Sequence, residues 1–254
     1  MANVTKTSLD DDAIWRVTFA NGKGNILDEA TMVALTKVFR DATQTPTLKA
    51  ICLEGEGKHF SFGASIPEHM PGKVVDMLAA FRELALAMLE SHVIIVAAVR
   101  GQCLGAGLEV VTLCHRVFAH DDAMFGQPEI ILGVFAPVAS IAFADRVGQA
   151  NAEDLCLTGR SIDAGTAHGM GMVQTIHADP TVAAVDWLRE SVGAKSASSL
   201  RHAVRAARLG LERRLRADLP LLEAQYLNEL MKTSDAIEGL TAFVEKRPAE
   251  WRHA

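Results

Sequence analysis

The chain has 254 residues, 49% hydrophobic and 22% charged, with a net charge of −6 at pH 7. That composition describes a folded globular protein, and its acidic balance argues against general attraction to nucleic acid or an anionic membrane. No apolar run approaches the roughly 20 residues that cross a bilayer, and "MANVTKTSLDDD" lacks the apolar stretch of a secretion signal, so a cytoplasmic location is expected.

In chain order, "IWRVTFA" (14–20) reads as a strand. Asp28 is placed to cap a helix over 29–43, where Met32, Leu35, Val38 and Phe39 recur at helical spacing. "LKAICLEG" (48–55) reads as a second strand and "GEGKHFSFGASI" (55–66) as a Gly-punctuated loop. An amphipathic helix is expected over 74–90, built on Met77, Leu78, Phe81, Leu84 and Met88. "HVIIVAAV" (92–99) is apolar without alternation, so it should be a strand covered on both faces. The motif "GQCLGAGLE" (101–109) follows. The segment 108–114 reads as helix because a Gly turn precedes it, and "RVFAH" (116–120) as a short strand. Beyond about 136 helices dominate. Pro137 suits a first helical position, Ser161 and Asp163 suit caps, and "GMVQTIH" (171–177) suits a last strand. Residues 181–254 are expected to be helical throughout. Their Arg201, Arg205, Arg208, Arg213, Arg214 and Arg216 should form a solvated or intersubunit face. Strand–helix alternation followed by helices alone predicts an α/β core with a helical tail that packs on a neighbour.

Cys52, Cys103, Cys114 and Cys156 have no metal-ligand spacing, so buried free thiols are expected. The nine histidines contain no HxxxH pair, and no metal is expected. His59, His69 and His115 carry only a structural expectation.

Two loops can bear chemistry. A Gly-rich turn entering a helix leaves backbone N–H groups without partners, and small residues let a ligand approach them. The N–H of Ala106 in "GAG" and of Ala64 in "SFGAS" could grip one carbonyl oxygen. Such an oxyanion donor is typically worth about 3–4 kcal/mol in the transition state. A phosphate site is the alternative, but "GQCLGAGLE" has no P-loop Lys and does not meet G-x-G-x-x-G. Glu109 and Glu129 each follow a Gly turn, 129 − 109 = 20 residues apart, within apolar sequence where an ionised carboxylate is costly without a task. Two carboxyls in one cavity hold a proton between them, which supplies a base and an acid for moving water onto carbon.

"GKHFSFGASI", "VRGQCLGAGLEV", "MFGQPEIILGV", "LTGRSIDAGTAHGMGMV" and "AFVEKRPAEW" together resemble the crotonase, or enoyl-CoA hydratase/isomerase, superfamily over nearly the whole chain. The resemblance implies a spiral of ββα turns with a C-terminal helical region that builds trimers or dimers of trimers. The expected division is 1–195 for the core with its acyl-CoA site and 196–254 for oligomerisation and CoA closure. It implies Ala64 and Ala106 as the oxyanion donors and Glu109 and Glu129 as the catalytic pair. Ser61, Ile66, Phe135 and Pro137 are expected to bind substrate. Phe243 and Lys246 are expected to approach the CoA of an adjacent subunit. Acyl-CoA would be the substrate, with no cofactor.

Two departures stand out. Ser65 occupies a position where the family commonly has Asp. After Glu129, "GVFAPVASIAFADRVG" (133–148) replaces the family's Gly-rich segment, which alters the acyl pocket. "GQPEIILGVFAPVAS" resembles the branch of the superfamily that hydrates cyclohexa-1,5-diene-1-carbonyl-CoA. That branch would add water at the carbon β to the thioester and protonate the far end of the dienolate; Glu109 is assigned to activate water and Glu129 to donate the proton, although the sequence alone leaves the reverse assignment open. The alternatives are a general short-chain enoyl-CoA hydratase or isomerase, and a non-catalytic binding relative, including an RNA-associated one.

Overall fold

The computed structural model describes residues 3–254. β1 (Asn3–Leu9) and β2 (Ile14–Ala20) form an antiparallel pair. α1 (Glu29–Thr43) starts at Asp28, whose Oδ1 accepts from the Thr31 N–H at 2.9 Å. β3 (Ala50–Gly55), α2 (Val74–Glu90) and β4 (Ile94–Val99) follow. The chain then runs through β5 (Gln102–Leu104), α3 (Ala106–Thr112), β6 (Arg116–Ala119) and β7 (Met124–Gly126). A 3-10 turn over Pro128–Leu132 leads to α4 (Pro137–Ala142), α5 (Ala144–Val147) and α6 (Gln149–Thr158). β8 (Ser161–Asp163), α7 (Ala164–Gly169), β9 (Thr175–Ile176) and α8 (Pro180–Val192) precede the long α9 (Ala197–Asn228) and α10 (Ser234–Glu245).

One sheet has the order β1-β2-β3-β4-β6-β9 and is parallel beyond its first pair. Its alternating residues feed two apolar clusters. Ile51, Leu53, Ile95, Ala97 and Val99 face α1, α2 and the main core. Ala50, Cys52, Val96, Ala98 and Phe118 face α8. This double coverage explains why β4 shows no polar alternation. A second, small sheet has the order β5-β7-β8. Each of β4 and β6 therefore hands the chain to a short strand of the second sheet and then to helical structure, which is the ββα turn of the spiral.

Several expectations need correction. The tail is not helical throughout. It breaks at residues 193–196 and 229–233, and 247–254 is non-helical. It also packs within its own chain, since Leu211, Leu215, Leu219, Tyr226 and Leu240 belong to the main core. The Arg-rich stretch is in part a solvated face, with Arg205, Arg213 and Arg216 exposed, but three of its arginines also bind within the chain. Arg201 donates to the carbonyls of Ala42, Thr45, Leu48 and Ser91, at 2.6 to 3.3 Å. Arg214 pairs with Asp145, and Arg216 with Glu90 and Glu212. Asp163 does cap α7, accepting from the Thr166 N–H at 2.7 Å, but Ser161 lies in β8. The last strand is shorter than expected, covering Thr175–Ile176. All four cysteines are free thiols, Cys156 only half-buried. Among the described residues no helix is long and apolar enough to cross a membrane, and no cluster of His, Cys, Asp or Glu could hold a metal.

Candidate active site

Register in the small sheet explains why the two Gly loops meet. Ser61 bridges Cys103 in parallel, and Cys103 pairs with Phe125. Ala64 and Ala106 stand three residues beyond the first two of these positions, so they occupy equivalent places on neighbouring strands. Glu109 follows β5 on the first turn of α3, and Glu129 follows the parallel β7 on the Pro128–Leu132 turn. β5 and β7 pair at an offset of 22 residues, so the two carboxyls come from successive turns of the spiral without being register equivalents.

Both loops need glycine. Gly63 has φ +99° and a Cβ there would lie 3.5 Å from the Ala106 nitrogen. Gly105 has φ +51° and ψ −127°, and a Cβ there would come within 2.6 Å of Glu129 Oε1. The loops therefore approach backbone to backbone beside the second carboxyl. Ala106 opens α3, so its N–H has no acceptor along the helix. Among the described residues the Ala64 N–H has no backbone acceptor either.

A cavity of about 740 Å³ opens in front of this pair, bordered by Ala64, Ile66, Gly105, Glu129, Phe243 and Lys246. Behind it lies a chamber of about 30 Å³, bordered by Ala106, Glu109, Glu129, Phe135, Pro137 and Tyr226. Ala64 and Glu129 line both. Glu129 thus stands at the doorway, and Glu109, 3% exposed, stands inside.

The carboxyls are held differently. Glu109 Oε1 accepts from the Ala139 N–H of α4 at 2.9 Å. Glu129 Oε2 is sealed from solvent with no hydrogen-bond partner. Burial raises the pKa of Glu109, and the amides of Ala139 and Val138 offset part of that rise. Burial raises the pKa of Glu129, and the negative charge of Glu109 pushes it further. The pair therefore holds a proton near neutral pH, on Glu129 in preference, while Glu109 carries the charge.

Ser61 needs correction as a substrate-binding residue. It is fully buried, its hydroxyl donates to the Asn25 carbonyl at 2.8 Å and accepts from the Gly63 N–H at 3.0 Å. It shapes the first loop from behind and lines neither chamber. Phe243 and Lys246 border the cavity of their own chain, because α10 folds back onto the Pro128–Leu132 turn. Gly239 permits this, since a Cβ there would lie 2.3 Å from the Leu132 carbonyl oxygen.

Two lining residues escaped sequence reasoning. His69 borders both chambers, and its Nδ1 donates to the Ser65 carbonyl at 2.9 Å. Burial lowers its pKa, so the ring is neutral. Its place in the Pro-containing turn just after the first Gly loop was the available signal. Tyr226 reaches the inner chamber from α9. Being the single Tyr of the chain, it was visible but had no local pattern to tie it to residues near 109.

The sequence matches the family model described as enoyl-CoA hydratase/isomerase over residues 10–254. It is 49% identical over 243 residues to cyclohexa-1,5-dienecarbonyl-CoA hydratase of Thauera aromatica, covering 96% of this chain and 94% of that one. It is 30% identical over 231 residues to 2,3-dehydroadipyl-CoA hydratase of Escherichia coli K12, covering 90% of each. The crystal structure of an enoyl-CoA hydratase from Mycobacterium avium superposes with a TM-score of 0.85 at 25% identity, covering 98% of both chains. With the matched model spanning almost its full length, the chain belongs to the enoyl-CoA hydratase/isomerase family.

Proposed function

We propose that this protein is a hydro-lyase that hydrates cyclohexa-1,5-diene-1-carbonyl-CoA to 6-hydroxycyclohex-1-ene-1-carbonyl-CoA. The observation that carries the reading is the pair of unlike carboxyls lining one small chamber together with Ala64 and Ala106 of the two Gly loops. The Thauera aromatica relative supports the choice of ring substrate.

The thioester lies in the outer cavity with its carbonyl oxygen between the N–H groups of Ala64 and Ala106. Glu109, as carboxylate, takes a proton from water, and the oxygen bonds to ring carbon 2. Electrons move through carbon 1 onto the thioester oxygen, where the two amides stabilise the charge. The resulting dienolate extends to carbon 5, which takes the proton of Glu129. A double bond forms between carbons 1 and 6. The proton count closes, since Glu109 has gained the proton that Glu129 lost, and exchange across the chamber restores the starting state. Carbons 2 and 5 face each other across the ring, which gives each carboxyl its own position to serve. Phe243 and Lys246 at the rim bind the CoA portion, so remote binding energy positions the ring.

The acyl-CoA is the substrate, and no metal or organic cofactor takes part. The chain works as a homotrimer or dimer of trimers, for which exposed Leu209 and Leu221 on α9 offer apolar surface. Offering purified protein the cyclic dienoyl-CoA and crotonyl-CoA in parallel tests the reading. Turnover of the ring thioester is expected to dominate. Fast hydration of crotonyl-CoA without action on the ring would leave a general enoyl-CoA hydratase instead.

A further inference from the structure

Tyr226 is 1% exposed, yet its hydroxyl has no hydrogen-bond partner. A buried hydroxyl left unpaired costs about 1–3 kcal/mol, so its retention calls for a partner during function. Tyr226 lines the inner chamber together with Glu109 and Glu129. Glu129 Oε2, the other unpaired buried oxygen of that chamber, is not within hydrogen-bond reach of the Tyr226 hydroxyl. The chamber, about 30 Å³, is large enough to admit water. Phe135, which lines the same chamber, packs edge-on against the Tyr226 ring with centroids 5.2 Å apart.

We propose that Tyr226 is a positioning residue for the reacting water: its O–H donates to the oxygen that Glu109 deprotonates, and then to the ring hydroxyl that this oxygen becomes. The inference rests on the hydration reading above. Water offers two hydrogens and two lone pairs. One hydrogen goes to the Glu109 carboxylate, one lone pair accepts from Tyr226, and the other lone pair is left to face the ring carbon. Burial and the nearby carboxyls raise the phenol pKa, so Tyr226 remains a donor throughout the working pH range. The C-terminal helix α9 thereby contributes a polar group to the chemistry as well as a wall.

Tyr226→Phe removes one oxygen and keeps the ring contact with Phe135. Two measurements on the full-length protein test the proposal. In a crystal structure that resolves ordered water, the wild type is expected to show one water within hydrogen-bond distance of the Tyr226 hydroxyl and of Glu109, and Tyr226→Phe is expected to lose it. A Tyr226 hydroxyl bonded directly to a protein group would overturn the proposal. In steady-state hydration of the cyclic dienoyl-CoA, kcat is expected to fall about tenfold to a hundredfold with KM little changed, while thermal stability holds or rises. An unchanged kcat would also overturn it, with the hydration reading intact. A wild type that holds this water but does not hydrate the ring thioester would support the placement and sink only the assigned reaction.

Discussion

Replacing Glu129 by Gln probes the electrostatics of the inner chamber through stability, with no substrate needed. Burial and the Glu109 charge raise the Glu129 pKa far enough for it to keep its proton at neutral pH. The unfolded chain releases that proton above about pH 4.3. The stability associated with this group is therefore complete below the unfolded pKa and is lost as pH rises toward the raised folded value. Each pH unit in that window is worth about 1.4 kcal/mol, so the loss between pH 4.5 and pH 7 is on the order of 3 kcal/mol. Glutamine has the same shape and does not ionise. Its buried amide carries a cost of about 1–3 kcal/mol if imperfectly paired, but that cost is the same at every pH. The unfolding free energy of Glu129→Gln minus that of the wild type should therefore grow by on the order of 3 kcal/mol from pH 4.5 to pH 7. Urea unfolding at fixed protein concentration across this range reads the difference. A difference that stays flat with pH would refute the reasoning, because the folded carboxyl would then titrate like a solvated one.

Three other outcomes follow from the same geometry. Gly105→Ala places a methyl 2.6 Å from Glu129 Oε1 on a backbone at φ +51°; kcat should fall about a hundredfold or more, comparable to losing an oxyanion donor, and an active variant in the hydration assay would contradict the described approach. The pH profile of kcat/KM should be bell-shaped, with its acid limb above the ordinary carboxylate range because both pKa values are raised; an acid limb near pH 4 would count against a shared proton. Gly239→Ala brings a methyl 2.3 Å from the Leu132 carbonyl oxygen, so α10 must shift at a cost of about 1–3 kcal/mol; KM for the CoA thioester should rise, since Phe243 and Lys246 move with α10, and an unchanged KM would separate them from CoA binding.

The elements with a long enough pattern were legible. α1 with its Asp28 cap and α2 carry their periodicity within the segment itself, and the doubly covered β4 carries its uninterrupted apolar run. The short strands β5, β7 and β8 were not. Three residues cannot display an alternation, and their pairing depends on partners such as Ser61 and Phe125, far away along the chain. Glu109, Glu129, Ala64 and Ala106 could be picked out because Gly turns mark them. That all four line one chamber could not, since it depends on the pairing of the small sheet. Ser61 misled because adjacency to a donor says nothing about which side of the loop its hydroxyl faces. The tail was read correctly as carrying exposed arginines, but Arg201, Arg214 and Arg216 could not be tied from sequence to their distant partners around α1, on α2 and on α5.

That α9 forms one wall of the inner chamber has a consequence for the order of events during synthesis. The Gly loops and both glutamates leave the ribosome well before Tyr226, Leu219 and Leu215. Until the last quarter of the polypeptide docks, the inner chamber lacks the wall that Tyr226 supplies. Its enclosure is then completed only at the end of assembly.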